Sequence, residues 1–308
     1  MARRLGLGLF VAMVVLAGCG QNPGGGQNPG GDGGPGQREG SDRLGQQARD
    51  ALTRFDRAVL DAGGLPRFVP VGDLTGQVGD WEAANGDNKL ALMSGRVEHG
   101  SLPDAPRPTG EVVWDNGTTQ TVPLISAAEA LRLLTAAGTG DCPDCVPLTV
   151  TAARLTTATV QTTRGPATVP AWEYTIKATA VRVTRPAVDG SAIVKVTPPS
   201  WDPYNAPGGT AIESATTTTT ADRRLTVTFT GTPGRRGEPC GAEYSAEAVE
   251  SANAVVVIVL EHRTSDVEAC TGIGATRTTT VDLDQPLGER AVLEVQQGLP
   301  VPLTITTG

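Results

Sequence analysis

The sequence predicts a β-rich α+β fold in two parts: an N-terminal α+β domain with two helices, and a C-terminal antiparallel β-sandwich-like domain. Two stretches carry apolar residues at helical spacing, and most other apolar residues alternate with polar ones, as in half-buried strands. A proline-rich boundary at residues 198–209 separates the two domains, which span residues 42–197 and 210–308. With 39% apolar and 19% charged residues, the chain has enough apolar side chains to bury a core.

The N-terminus has the pattern of an export signal. Arg3 and Arg4 precede an apolar run at residues 5–17, which at about 1.5 Å per residue is too short to cross a hydrocarbon core of ~30 Å. The run ends in Leu16-Ala17-Gly18-Cys19, which resembles the lipobox of bacterial lipoproteins. The resemblance implies that residues 1–18 are a cleaved lipoprotein signal peptide. It also implies that Cys19 carries a diacylglyceryl thioether, which anchors the protein to the outer face of the cytoplasmic membrane. The alternative is an ordinary secretory signal in which Cys19 is incidental.

Residues 19–41 are predicted to form a Gly/Pro-rich flexible tether. The pentapeptide QNPGG occurs twice in this segment, and residues 20–40 include no apolar side chain that could be buried. A random coil of this length reaches roughly 25 Å, so the folded part is expected to stand off the membrane.

Two helices are predicted in the N-terminal domain. Residues 43–62 place five apolar side chains on one stripe, and two glycines then end the helix. Residues 126–137 begin with a capping box, in which Ser126 and Glu129 satisfy amide groups of the first turn. The stripe of the first helix consists of Leu44, Ala48, Leu52, Phe55 and Val59.

Short strands are predicted between and after these helices. Asp115-Asn116-Gly117 is typical of a hairpin turn between strands at 111–114 and 119–122. A shift of the alternation near Ala180 predicts a break or bulge, and Asp189-Gly190 is predicted to turn into a strand at 193–196. The other strands of this domain are expected at residues 90–97, 148–152 and 172–177.

The C-terminal domain contains a continuous apolar run, AVVVIVL, at residues 254–260. Such a run predicts a central strand that is covered on both faces. Residues 225–229 alternate apolar side chains with threonine, which predicts a half-buried strand, and residues 278–283 and 291–295 add two more. Many short strands with few helices favour a sandwich-like arrangement of antiparallel sheets.

The cysteine count is typical of an exported protein. If Cys19 is lipidated, Cys142, Cys145, Cys240 and Cys270 remain, and this even number indicates two disulfides. Three pairings are possible, and Cys142–Cys145 with Cys240–Cys270 is favoured because each pair is local to one half of the chain. The segment CPDC at 142–145 also matches a thiol-disulfide motif. A reactive pair of that kind follows a strand and begins a helix, whereas here a helix is predicted before it and a strand after it.

The sequence assigns no catalytic residue, cofactor or metal ligand. The net charge of −8 argues against a nucleic-acid partner. His99 and His262, the only two histidines, lie at predicted strand ends and provide too few ligands for zinc. Two groups of carboxylates have the spacing of a general acid and base or of a cation site, although a polar surface explains both: Asp80, Glu82 and Asp87, and Asp282 with Asp284.

Three segments in the body of the chain carry a second resemblance. They are GPATVPAW at 165–172, CGAEY and AVES within 240–251, and PLGER at 286–290. Over residues 142–300 the chain resembles uncharacterised lipoproteins and secreted proteins of high-GC Gram-positive bacteria. This resemblance brings no activity with it.

The expected function is that of a membrane-anchored cell-envelope lipoprotein that serves as a non-catalytic binding or accessory module. Its expected partners are the membrane, through lipidated Cys19, and an envelope protein or the cell wall. One alternative is an anchored wall- or glycan-acting enzyme that uses carboxylates. The other is a thiol-disulfide protein that uses the CPDC motif.

Overall fold

The computed structural model describes residues 35–64, 68–81, 86–136, 140–200, 202, 206–263, 270 and 272–306. Over these residues the protein is β-rich, with three α-helices and mostly antiparallel strands. The helices are α1 (Pro35–Asp61), α2 (Gly86–Met93) and α3 (Ala127–Ala136). The strands are β1 (Gly76–Val78), β2 (Val97–His99), β3 (Thr109–Trp114), β4 (Thr119–Pro123), β5 (Leu148–Val160), β6 (Ala167–Ile176), β7 (Arg182–Pro186), β8 (Ile212–Thr217), β9 (Arg224–Gly231), β10 (Ala242–Glu250), β11 (Ala254–Arg263), β12 (Ala275–Asp282), β13 (Ala291–Glu294) and β14 (Leu303–Ile305).

Strands β1 to β7 form one large sheet. Its order is β1-β7-β6-β3-β4, and β5 pairs with both β6 and β2. Helices α2 and α3 cover one face of this sheet, and Phe68 with the residues after β7 covers the other. Two aromatic side chains on β6 fix the start of α3 to the sheet. Trp172 Nε1 donates to Ile125 O at 2.9 Å, and the Tyr174 hydroxyl donates to Ala127 O at 2.8 Å.

Strands β8 to β14 form two smaller sheets that share one core. Their orders are β10-β11-β13 and β12-β9-β8-β14. Neighbouring strands are antiparallel except in the pairs β11–β13 and β8–β14, which are parallel. The shared core includes Leu225, Val227 and Phe229 of β9, and Val255 and Val257 of β11.

Helix α1 covers the other face of β11. Val256 and Ile258 of the strand belong to the same buried cluster as Leu52, Phe55 and Val59 of the helix. The apolar run at 254–260 is therefore covered on both faces, which confirms the prediction made from its composition.

Helix α1 packs against strands that are distant from it in sequence. The sequence places the first helix in the domain at 42–197, and in the structure the helix packs on the β10-β11-β13 sheet, where Val69 and Val194 join the same buried cluster. Gln47 Nε2 donates to Val295 O at 2.7 Å, and Asn253 Nδ2 donates to Asp56 Oδ1 at 2.9 Å. An amphipathic stripe shows that a helix packs against something, but not which sheet it covers. Sequence order alone therefore did not identify β11 and β13 as the strands that α1 covers.

The structure differs from three further local predictions. Residues 90–97, predicted as a strand, are shared between the end of α2 and the start of β2, because Leu90, Ala91, Leu92 and Met93 are strong helix formers. The helices among the described residues therefore number three rather than two. Asp189-Gly190 does not turn into a strand. Instead, the Asp189 carboxylate accepts the Ser191 N–H at 2.8 Å and caps a 3₁₀ helix, Gly190–Ala192.

The third difference is at the end of the predicted tether. Helix α1 begins at Pro35, so residues 35–41 are helical rather than part of a flexible segment. Proline is tolerated in the first turn of a helix because its missing N–H would have no acceptor there. Residues 19–34 of the predicted tether lie outside the described residues.

Other local predictions are confirmed. The β3–β4 hairpin turns at residues 115–117, where Gly117 has a φ of 82°. Ser126 caps α3 by accepting the Glu129 N–H at 3.2 Å. The shift of alternation near Ala180 lies in the break between β6 and β7.

Phe55→Ala is expected to lower the free energy of unfolding by about 3–5 kcal/mol, because it removes a fully buried ring between α1 and β11. Urea unfolding followed by circular dichroism measures this change. The matched control is Leu60→Ala on the same helix, where the side chain is 69% exposed and the expected change is below about 0.5 kcal/mol. Equal losses in the two variants would show that α1 does not dock through this stripe.

Candidate functional site

Cys19, the predicted lipidation residue, lies outside the described residues together with the rest of the lipobox. In the part of the chain that the structure describes, no helix is both long and apolar enough to cross a membrane.

The CPDC segment forms a disulfide inside a turn. Cys142 and Cys145 are bonded, with their Cα atoms 5.4 Å apart, and Cys145 is buried in the core under α3. Strand β5 follows the turn, so no helix N-terminus is present to lower the pKa of a thiol in the way that redox sites require. The Pro143 carbonyl accepts a hydrogen bond from Arg96, which holds the turn against the start of β2.

The second disulfide joins Cys240 to Cys270, with Cα atoms 5.7 Å apart. Cys240 precedes β10 in one small sheet, and Cys270 lies ahead of β12 in the other. The bond therefore ties the two small sheets together at one edge. A loop of this length stabilises the folded chain by roughly 3–4 kcal/mol in the chain-entropy account. The two disulfides are those that the sequence favoured.

The carboxylates singled out from the sequence are exposed wherever the structure describes them. Asp282 accepts two hydrogen bonds from Arg224, at 2.7 and 3.2 Å, and this contact lowers the pKa of Asp282, so the carboxyl is not a proton donor near neutral pH. Asp284 lies beyond the end of β12 and is exposed, as are Asp80 and Asp87. Glu82 lies outside the described residues. Among the residues the structure describes, no three His, Cys, Asp or Glu side chains converge as a metal site.

Both histidines lie at exposed strand ends, as predicted. His99 Nδ1 contacts Gly100 O at 2.6 Å. His262 Nε2 is 2.7 Å from the hydroxyl of Ser245, a contact that sequence reasoning missed because the two residues lie on adjacent strands. No carboxylate in the described part of the chain is bonded to the other ring nitrogen of His262, so none of these residues supplies the third group that orients a catalytic histidine.

Two of the segments quoted for the resemblance meet at a buried ion pair. Glu250 of AVES bonds Arg290 of PLGER at 2.5 Å, with only 13% and 10% of the two side chains exposed. Arg290 also donates to the carbonyls of Gln285, Pro286 and Leu287, and Glu250 accepts the Asp284 N–H.

Burial raises the pKa of Glu250, but the hydrogen bonds from Arg290 and Asp284 outweigh this effect and leave the pKa below its ordinary value. The pair holds the loop between β12 and β13 in place.

Two adjoining cavities lie where α1, the large sheet and the loop after β13 meet. The segment 190–197 separates them, and Lys195 lines both. Their volumes are about 500 and 490 Å³, within the range of roughly 300–1,000 Å³ that is usual for small-molecule sites. Arg54, Arg57 and Asp61 of α1 line the first, called here the basic cavity.

The second cavity is mostly apolar, and it is called here the apolar cavity. The two charged residues among its described lining residues are Arg185 of β7 and Lys195. The rest of the described lining consists of Pro70, Val71, Gly72, Leu74, Leu133, Gly190, Ile193, Val194, Val196, Leu299 and Pro300. Sequence reasoning missed this site, although one signal was present: Arg185 continues the face of β7 on which Val183 is buried.

Arg185 is half-buried and, within the described residues, makes neither a hydrogen bond nor an ion pair. Burial lowers the pKa of Arg185, and the nearby carboxylate of Asp73 opposes this effect without a direct contact. The Asp73 carboxylate instead accepts the Thr75 N–H at 2.8 Å. Because arginine keeps its proton in proteins, the apolar cavity contains a partly desolvated positive charge.

Comparisons of the chain with known protein families, curated proteins and solved structures give no match.

Glu250→Gln is expected to destabilise the fold at pH 7 by about 2 kcal/mol, because it removes a charged acceptor from buried Arg290. A group whose pKa is lowered by folding stabilises the fold above its unfolded-state pKa, and the contribution is lost as pH falls through the folded-state value. The stability difference between the wild-type chain and the variant should therefore shrink below about pH 4. Thermal unfolding at several pH values measures it.

The control for this experiment is Glu129→Gln, which breaks an exposed ion pair with Arg132 on α3. This variant should unfold almost as the wild-type chain does at neutral pH. A Glu250→Gln effect that does not depend on pH would contradict the assigned role of the buried pair.

Proposed function

We propose that this chain is an exported lipoprotein, anchored through Cys19 to the outer face of the cytoplasmic membrane, that acts as a non-catalytic binding module in the cell envelope. The observation that carries the proposal is the sequence Leu16-Ala17-Gly18-Cys19 at the end of a short apolar run preceded by two arginines. The two disulfides support it, because such bonds form and persist mainly outside the cytoplasm.

The arrangement of the polar side chains favours binding over catalysis. The cysteines of CPDC are bonded, and one of them is buried in the core. Asp282 is engaged by Arg224, and the Ser245–His262 pair is exposed on the surface of a sheet. By contrast, the cavities beside residues 190–197 combine apolar walls with cationic groups, which is the usual make-up of a ligand site.

The proposal includes a finer division of the fold. The two small sheets, together with α1, form one sandwich-like unit, and the large sheet with α2 and α3 forms a second. The division of the buried clusters supports this arrangement: α1 shares a cluster with β11 and β13, whereas α2 and α3 share one with β6. In this arrangement the segment that carries the anchor leads directly into the unit with the small sheets.

Cys19→Ser is expected to move the protein out of the membrane fraction and to abolish incorporation of labelled fatty acid, because the thiol is the proposed site of lipidation. Fractionation of cells followed by immunoblotting measures the first effect, and metabolic labelling measures the second. Asn28→Ser, outside the lipobox, is the matched control and should stay with the membrane. Full membrane retention and labelling of the Cys19→Ser chain would refute the anchor.

A further inference from the structure

Besides Arg185 of β7, four separate parts of the chain bound the apolar cavity in the described structure. The loop at 70–74, helix α3 through Leu133, the segment 193–196, and the loop through Leu299 and Pro300 each contribute a wall. A concavity bounded in this way suits a compact ligand rather than an extended peptide, which would need an open strand edge or a long groove. Most of its lining side chains are apolar, so an apolar group that binds there is removed from water, which is favourable.

The charges at this cavity are the opposite of those of the whole chain. The protein has a net charge of −8, yet Arg185 and Lys195 are the charged groups in the described lining, and Arg54 and Arg57 line the adjoining basic cavity. Two carboxylates face this region: Asp61 from α1 and Asp73 from the loop beside β1. Neither makes an ion pair with Arg185 in the described structure.

Arg185 is the residue that indicates a ligand. A guanidinium that is partly removed from water is stabilised by an anion able to accept its paired N–H groups. Arg54 shows the same condition on the other side of segment 190–197: its Nε is buried without a hydrogen-bond partner among the described residues, while its Nη2 donates to Gln297 O at 3.2 Å. Both side chains are therefore cations with at least one N–H group that has no acceptor among the described residues.

We infer that the apolar cavity binds a small acidic amphiphile, a molecule with one anionic head group and one alkyl tail. The head group accepts hydrogen bonds from Arg185 and Lys195, and the tail lies against Leu74, Leu133, Ile193 and Val196. The inference rests on the proposed binding role and names the chemical class of the ligand. It does not depend on lipidation of Cys19.

The test is calorimetric titration of the full chain with three probes that separate charge from tail. Laurate has both features, dodecanol has the tail alone and acetate has the charge alone, each kept below its aggregation limit. Laurate should bind at least about tenfold more tightly than dodecanol, because a charged hydrogen bond in a partly desolvated site contributes at least that factor. Acetate should give no saturable binding.

Substitutions locate the head group. Arg185→Gln should weaken laurate binding by about tenfold or more and leave dodecanol binding unchanged, whereas Arg185→Lys should recover part of the loss. Arg154→Gln is the matched control, because Arg154 pairs with Glu173 on the exposed surface of the same sheet. This variant should bind laurate as the wild-type chain does. If Arg185→Gln does not fold, Lys195→Gln, at an exposed position, should show a smaller loss in the same direction.

Equal affinities for laurate and dodecanol, no binding of either, or undiminished laurate binding by the folded Arg185 and Lys195 variants would each overturn the assignment. The fractionation of the Cys19→Ser chain has an independent outcome. A protein that is lipidated and held at the membrane but binds no laurate would refute the ligand class alone, and one that binds laurate without lipidation would refute the anchor alone.

Discussion

The constraint on which the rest of the structure depends is that β11 must be covered on both faces. Residues 254–259 are all buried, and alternate side chains point to opposite sides of the sheet. Each such valine or isoleucine contributes about 1.5–3 kcal/mol when it is removed from water, so neither face can remain exposed in a stable fold. The four-stranded sheet covers one face and α1 covers the other. Helix α1 therefore completes a core to which β11 and β13 contribute most of the other buried residues.

The cavities follow from this packing. With α1 fixed on β11, the segment after β7 runs beside the helix, where Phe68 and Ile193 form a parallel bridge and Val69 and Val194 join the buried cluster of α1. The loop after β13 is held on the other side, because Glu294 accepts the N–H groups of Gln296, Gln297 and Leu299. The space left between these parts and the large sheet is the apolar cavity, and Arg185 projects from the sheet into its lining.

Local features of the fold were predictable because short sequence patterns determine them. The Ser126 cap of α3, the hairpin at 115–117, the doubly covered strand at 254–260 and the local cysteine pairs all follow from residues close in sequence. The partner of α1 was not predictable, since its stripe fits any apolar face. The strand assigned to residues 90–97 failed because a short apolar run does not distinguish helix from strand. The two cavities were missed because their lining residues come together only through α1 docking and sheet pairing: Arg54 lines the basic cavity, Arg185 the apolar cavity and Lys195 both.

The central proposal is that α1 completes the core of the two small sheets, and one measurement tests it directly. Residues 206–306 are prepared with the Cys240–Cys270 bond intact, with and without a peptide of residues 40–64, and their unfolding and binding of a hydrophobic dye are followed. The account predicts that the fragment alone binds the dye and unfolds without cooperativity, and that the α1 peptide suppresses dye binding and restores a cooperative transition. Cooperative unfolding of the fragment alone, with no dye binding and no change on addition of the peptide, would contradict it.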